Sequence, residues 1–177
     1  MPAASARIYW IPSFETFYNS YFQELASEQL ASRWQRLDFG IGFLVALTAS
    51  GSAVSGWALW NQAGWRSGWL AIAGTAGIAA IFHRVLGVTN RVKEQEELRR
   101  LFVELRVGLE TFRHKLKIGI DEKDAETQFT RLRERYAECM GRTRTDMAFT
   151  NSLRLRVQDH LDEILQNQIR HDSNQRN

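Results

Sequence analysis

The middle of the sequence is a long stretch without charge, and helix-spaced apolar positions lie on both sides of it. From Phe39 to Trp65, 27 consecutive residues carry no charge, and a second uncharged run follows Arg66, from Ser67 to Phe82. A membrane-spanning helix needs about 20 apolar residues. The pattern predicts a transmembrane hairpin over 38–90, with spans at about 39–60 and 67–87.

A buried helical hairpin in a soluble protein is the alternative to membrane spans. A soluble core of this size rarely leaves 43 of the 44 residues from 39 to 82 uncharged, so the pattern favours the membrane. Basic residues concentrate before the first span and at or after the end of the second, and the connecting loop holds only Arg66. They are Arg33 and Arg36 before the first span, then Arg84, Arg91, Lys93, Arg99 and Arg100. The positive-inside rule therefore predicts that both termini are cytoplasmic.

Residues 1–37 are predicted to form an N-terminal cytoplasmic or interfacial segment, whose helix has Ser13 as its N-cap directly after Pro12. Aromatic and apolar side chains recur there at spacings of three and four, which gives an amphipathic helix. They are Phe14, Phe17, Tyr18, Tyr21, Phe22 and Leu25. Two interpretations are open: the helix lies on the membrane surface, or it packs on the C-terminal helices.

Residues 91–170 are predicted to form a cytoplasmic helical domain, followed by a flexible tail at 171–177. Apolar residues there alternate steps of four and three, which is the seam of a coiled coil. They are Leu98, Phe102, Leu105, Leu109, Phe112 and Leu116. This helix is expected to continue the second span without a break. A turn at Gly119 and Asp121, with Asp124 as N-cap, leads to a helix over 125–140, and Asp146 caps the last helix.

The predicted fold class is therefore an all-α membrane protein. It consists of a two-helix transmembrane hairpin, an N-terminal amphipathic helix and a C-terminal cytoplasmic helical bundle or coiled coil. Both spans are rich in glycine, alanine and serine, which let helices approach closely in lipid. Together with the seam, this favours a homo-oligomer, with a tetramer as one arrangement. Alternatively, a single chain satisfies both surfaces within itself.

Three hydroxyl side chains of the first span, Thr48, Ser52 and Ser55, are spaced four and three apart and share one helix face. In an oligomer they are candidate pore-lining residues. The alternative is that each hydroxyl bonds a backbone carbonyl four residues earlier. His83 and Arg84, at the inner end of the second span, are candidates for the cytoplasmic mouth, or else interfacial anchors.

Charge is distributed unevenly, with nine charged residues in 1–90 and thirty-four in 91–177. From 131 to 156 there are seven arginines against three acidic residues, and arginine suits bidentate contact with phosphate. The candidate anionic-ligand residues are Arg131, Arg135, Arg142, Arg144, Arg154 and Arg156. A nucleotide or DNA oligomer is the expected ligand. Alternatives are a solvated face, contact with anionic lipid headgroups, or the codon bias of a GC-rich genome.

The sequence offers no recognisable catalytic chemistry. The four histidines lack metal-ligand spacing, Cys139 is the only cysteine, and no phosphate-binding glycine loop with a lysine is present. We therefore expect no catalytic residues, no cofactor and no metal, and predict that the protein is not an enzyme.

The arrangement around the second span is similar to a known class of proteins. Residues His83-Arg84-Val85-Leu86-Gly87-Val88, leading into Lys93-Glu94-Gln95-Glu96-Glu97-Leu98, resemble two-transmembrane effectors of bacterial anti-phage systems. The SLATT family and the Hailong-type channel effector are similar over about 13–165. The resemblance implies a homo-oligomeric channel in the bacterial inner membrane that depolarises it during abortive infection. It also implies a DNA oligomer or nucleotide ligand, made by a partner nucleotidyltransferase. The alternative function is a non-conducting anchor whose coiled coil recruits a cytoplasmic partner.

Overall fold

The computed structural model describes residues 4–54, 68, 71, 74–75, 77–79, 81, 87–143, 146 and 148–174. Within these residues the chain is helical apart from turns and contains no strand, which confirms the all-α prediction. The helices are α1 (Ala4–Val54), α2 (Val88–Ile118), α3 (Glu122–Arg142) and α4 (Asn151–Asn174). The described residues between 68 and 81 are also helical. The chain divides into two compact units, Met1–Leu30 with Gln95–Asn177, and Ala31–Glu94.

The first unit is an up-and-down four-helix bundle. Two ion pairs show that helices α1 and α2 are antiparallel. Glu24 pairs with Arg106 at 2.7 Å, whereas the later Glu28 pairs with the earlier Arg99 at 3.5 Å. Helix α3 reverses direction after the short turn that follows α2. Helix α4 returns along α1, where the Tyr18 hydroxyl donates to the Asp162 carboxylate at 3.0 Å.

Three clusters of buried side chains form the core of this bundle. The seam residues of α2 contact α1 through Phe17 and α3 through Cys139 and Phe129. Leu25, Ala26 and Leu30 of α1 pack on α4, whose buried residues are Leu153, Val157 and Leu161. Of the two interpretations of the N-terminal helix, the structure therefore supports packing on the C-terminal helices.

Helix α1 begins earlier than the sequence predicts, so the assignment of Ser13 as an N-cap is wrong. Pro12 and Ser13 lie inside the helix, and the Ser13 hydroxyl donates to the Trp10 carbonyl at 3.0 Å. The extra turns pack on the bundle, since the Tyr9 and Phe129 rings lie 5.5 Å apart. Contacts with the bundle thus stabilise the helical turns before Pro12, although a proline commonly marks the beginning of a helix.

The predicted turn at Gly119 is present, but the caps of α3 and α4 differ from the prediction. Gly119 has a φ of +104°, and Asp121, not Asp124, caps α3 by accepting from the Lys123 amide at 3.3 Å. Asp146 does not cap α4, because its carboxylate accepts from the Ala148 amide at 2.9 Å, before the helix starts. The Thr150 hydroxyl takes that place, accepting from the Leu153 amide at 3.4 Å.

The second unit contains the last turns of α1 and the first turns of α2, where Thr89 donates to Asp38 at 3.3 Å. The prediction that α2 continues the second span without a break is wrong. Gly87 has a φ of +58° and α2 begins at Val88, because a left-handed residue cannot continue a right-handed helix. Across the residues described, none of the helices has the length and hydropathy required to cross a membrane.

Candidate functional site

The predicted pore and mouth residues fall largely outside the part of the chain that the structure describes. Thr48 and Ser52 belong to helix α1, but their side chains are not among those described. Ser55, His83 and Arg84 lie outside the described residues altogether. The pore-lining and mouth assignments therefore stay predictions.

The predicted oligomerisation seam lies inside the chain's own core. Its six residues are all less than a tenth exposed: Leu98, Phe102, Leu105, Leu109, Phe112 and Leu116. Their contacts are made by α1 and α3 of the same chain. The heptad pattern was identified correctly, but its partner is intramolecular, because a four-helix bundle and a coiled coil share the same spacing.

Two of the predicted anionic-ligand arginines already form ion pairs in the described part of the chain. Arg135 pairs with Glu104 of α2 at 2.7 Å, and Arg142 pairs with Glu138 at 2.8 Å and more loosely with Glu97 at 3.7 Å. These two guanidinium groups therefore hold α3 to α2 and already have carboxylate partners.

The remaining members of that set differ in position. Arg131, Arg154 and Arg156 are exposed, and the described residues provide none of them with an ion pair. Arg154 and Arg156 are two positions apart, so they point to different sides of α4. Arg144 lies outside the described residues.

A cleft of about 510 Å³ lies between α1, α2 and α4, away from the predicted arginine set. Its apolar walls are Phe14 and Phe17 of α1 and Leu165 and Ile169 of α4. Its charged or titratable lining comes from one helix, α2, and consists of Glu110, Arg113, His114 and Lys117. We call this space the Arg113 cleft.

Arg113 lies against aromatic rings instead of a carboxylate. Its guanidinium carbon is 4.6 Å from the centre of the Trp10 ring, 4.9 Å from Phe14 and 5.5 Å from Phe17. Its Nε is buried and has no hydrogen-bond partner among the described residues. Burial lowers the pKa of this guanidinium, and attraction to Glu110 opposes that shift. The cation lies on the ring faces with Glu110 nearby, and its Nε retains unused hydrogen-bonding capacity.

The acidic residue of the cleft is engaged elsewhere. The Glu110 carboxylate accepts from Arg106 at 2.8 Å, and Arg106 also donates to Glu24 at 2.7 Å. Arg106 therefore takes both nearby carboxylates, and Arg113 receives neither. The sequence did not indicate this site, because Phe14 and Phe17 fit a stripe of helix-spaced aromatics and Trp10 precedes the predicted start of the helix. Only the fold brings Arg113 onto them.

A second cavity, of about 230 Å³, lies at the other end of the bundle, beside the segment between α3 and α4. It is lined by Gln23, Ser27, Gln95, Thr143 and Asp146 among others. Asp146 accepts from the Gln95 amide at 3.3 Å and from the Ala148 backbone at 2.9 Å. The Asp146 carboxylate thus already accepts from the Ala148 backbone amide, and its negative charge disfavours an anion in this cavity. In the described chain no three His, Cys, Asp or Glu side chains are placed to hold a metal ion.

Comparison with known proteins adds no assignment, since no family model, curated protein or solved structure matches the chain. The function therefore has to be argued from the residues and their arrangement.

Proposed function

We propose that the chain is one subunit of a homo-oligomeric gated ion channel in a bacterial inner membrane. It acts as an anti-phage effector that depolarises the membrane, and its cytoplasmic bundle receives a nucleotide or oligonucleotide signal. The observation that carries this proposal is that α1 is a single helix from Ala4 to Val54. One helix thus supplies both the bundle core and most of the first predicted span, so a change in the bundle has a direct route to the pore. The uncharged runs and the resemblance to two-transmembrane effectors support the same function.

The two connections between the bundle and the predicted hairpin differ in backbone conformation. Helix α1 is unbroken through residue 54, whereas α2 starts after Gly87, whose left-handed conformation interrupts the helix. Switching proteins combine rigid elements with hinges at a few positions. In this proposal α1 transmits the movement and Gly87 accommodates it.

The contacts between subunits are proposed to lie in the hairpin. The heptad seam is buried within one chain, so it is not free to hold copies together. The small residues of the spans, such as Gly42, Ala46 and Ala53, permit the close helix packing that replaces the hydrophobic effect in lipid. The face with Thr48, Ser52 and Ser55 would then line the pore.

Membrane potential in cells that express the chain tests this proposal. We expect the wild type to depolarise bacteria, on expression or after phage infection, as reported by a potential-sensitive dye. Ser52→Leu should abolish depolarisation because it places a bulky apolar side chain in the pore. Ser50→Leu is the matched control, since residues two apart on a helix lie about 200° apart. It should retain the effect at equal expression.

Two results would contradict the channel. One is an unchanged membrane potential with the wild type under both conditions. The other is equal loss of depolarisation in both serine variants while both still reach the membrane fraction. Either result would leave a non-conducting anchor, although not one that recruits its partner through the buried seam.

For the nucleotide signal, the exposed arginines without an ion pair are the remaining candidates. Arg131→Glu should weaken binding of a short DNA oligomer, with a reduced dependence of affinity on salt. Arg135→Glu breaks a pair with Glu104 and is less informative, because it also perturbs the α2–α3 contact.

A further inference from the structure

The Arg113 cleft combines apolar walls with a guanidinium whose buried Nε has no hydrogen-bond partner among the described residues. A solvent-exposed arginine would meet water, and a core position would be filled by an apolar residue. Here the guanidinium is half-buried on three rings, with its Nε unpaired among the described residues. The volume of about 510 Å³ lies within the range of sites that hold small molecules.

The charges of the cleft favour a ligand with a single negative charge. Arg113 and Lys117 are positive, and the Lys117 ammonium also lies 5.8 Å from the centre of the Trp10 ring. Glu110 contributes one negative charge, although Arg106 already holds it. The lining therefore carries two positive charges against one negative charge, and that negative charge is shared with Arg106.

The neutral part of the lining indicates what the rest of the ligand is. Phe14 and Phe17 form one wall, and Leu165 and Ile169 form the opposite wall from α4. His114 and Gln168 are the remaining polar side chains of the lining. A sugar needs several hydrogen-bond partners, and these walls offer few, so they suit an apolar body.

We propose that the Arg113 cleft binds a small organic acid. Its carboxylate pairs with the guanidinium of Arg113 and the ammonium of Lys117, and its apolar body lies between Phe14 and the side chains of Leu165 and Ile169. A carboxylate supplies the charge-assisted hydrogen bonds that the guanidinium lacks, in a geometry that arginine is built to match. The site is separate from the exposed arginines and does not depend on the channel proposal.

Isothermal titration calorimetry on the purified full chain in detergent micelles tests this site. The probe is 2-naphthoate, and 2-naphthamide is its neutral counterpart of the same shape. We expect naphthoate to bind with a Kd at least about tenfold lower than that of the amide, since hydrogen bonds to a charged group contribute that much. Arg113→Met keeps an apolar side chain against the rings and should raise the Kd for naphthoate to that of the amide.

The control variant is Lys115→Met. Lys115 lies on the same helix, but it donates to Gln128 at 3.0 Å and is not part of the cleft lining. It should leave naphthoate binding unchanged. If Arg113→Met does not fold, as judged by circular dichroism, Lys117→Gln decides, because Lys117 is exposed and its loss should raise the Kd severalfold.

Several outcomes would overturn the organic-acid site. They are equal binding of naphthoate and naphthamide, no effect of Lys117→Gln and Arg113→Met, or tighter Arg113-dependent binding of AMP or inorganic phosphate than of naphthoate. Binding is measured without any conductance, so failure here leaves the depolarisation experiment untouched, and a non-conducting chain leaves this site intact.

Discussion

Two arginines of the bundle form ion pairs of equal length in different surroundings. Arg106 reaches Glu24 at 2.7 Å with its side chain 21% exposed and that of the glutamate 9% exposed. Arg135 reaches Glu104 at the same 2.7 Å, with side chains 50% and 42% exposed. Burial lowers the pKa of Arg106, but its hydrogen bonds to Glu24 and Glu110 outweigh this and raise the pKa. Burial, and not distance, should therefore decide what each pair contributes.

We expect Arg106→Met to lower the free energy of unfolding by about 2–3 kcal/mol, because it leaves the buried Glu24 carboxylate without its partner. Arg135→Met is the matched control and should cost about 0–1 kcal/mol, since solvent screens an exposed pair. Urea unfolding of the full chain, followed by circular dichroism, measures both. Equal losses would show that burial does not separate the two pairs.

Three tyrosines make the bundle sensitive to alkaline pH. Burial raises the pKa of Tyr18, Tyr21 and Tyr136 above the ordinary value of 10.0. The hydrogen bond to Asp162 adds to the shift at Tyr18, while Arg106 opposes it at Tyr21. A raised pKa means that the folded chain holds these protons more tightly than the unfolded chain does.

The stabilisation from these tyrosines should therefore be complete below about pH 10 and be lost as the pH rises through the raised pKa values. The free energy of unfolding, measured from pH 8 to 11, should fall at the alkaline end. Tyr136→Phe should make that fall shallower, because it removes one titrating hydroxyl whose shift comes from burial alone. An identical pH dependence in the variant would remove Tyr136 from this account.

At the scale of elements, periodicity predicted the helices and their buried faces more accurately than it predicted their ends or partners. The seam of α2 is buried as its spacing requires, and of the α1 stripe Phe17 and Leu25 are buried whereas Phe14 is exposed. The caps were less predictable, because Asp121 and Asp124 are chemically equivalent and only the backbone path separates them. The choice of partner was not encoded locally, since a seam at heptad spacing fits a second copy or the same chain equally well.

For the candidate sites too, the sequence predicted the residue types but not their contacts. Arginine enrichment made Arg135 and Arg142 candidate ligand-binding residues, but the sequence did not show that carboxylates of α2 and α3 pair with them. The Arg113 cleft was not predicted because its members are distant in sequence, from Trp10 to Ile169. Composition reports which charges are present, whereas only the fold determines which of them are left without a partner.

The turn between α2 and α3 provides a test at this scale. Gly119 has a φ of +104°, which a side chain would strain, whereas Gly141 is helical and has open space where a Cβ would lie. We expect Gly119→Ala to destabilise the bundle by about 1–2 kcal/mol. Gly141→Ala, its control, should stabilise it by up to about 1 kcal/mol, because alanine prefers the helix. Thermal unfolding of both variants gives the signs, and a neutral Gly119→Ala would contradict the strain.

For the bundle as a whole, the three core clusters share residues and should unfold together. Leu132 belongs to the clusters built on Leu105 and on Phe112, and Tyr21 and Leu165 join the first of these to the α1–α4 cluster. Because a change in one cluster is carried into the next by shared side chains, we expect one cooperative transition for the four helices.

Cys139 is a reporter for that transition, because it lies in the cluster that α4 reaches only through Leu165. It is 2% exposed, and burial, followed by the nearby Glu138, raises its pKa, so the folded chain should react slowly with a maleimide. Val157→Ala in α4 should cost about 2 kcal/mol and so speed labelling at least about tenfold, provided that labelling requires global opening. Arg154→Ala, on the exposed face of the same helix, should leave the rate unchanged. If Val157→Ala melts α4 while Cys139 stays protected, α4 is a separate unit, and a signal received there would not reach α2 and α3 through the core.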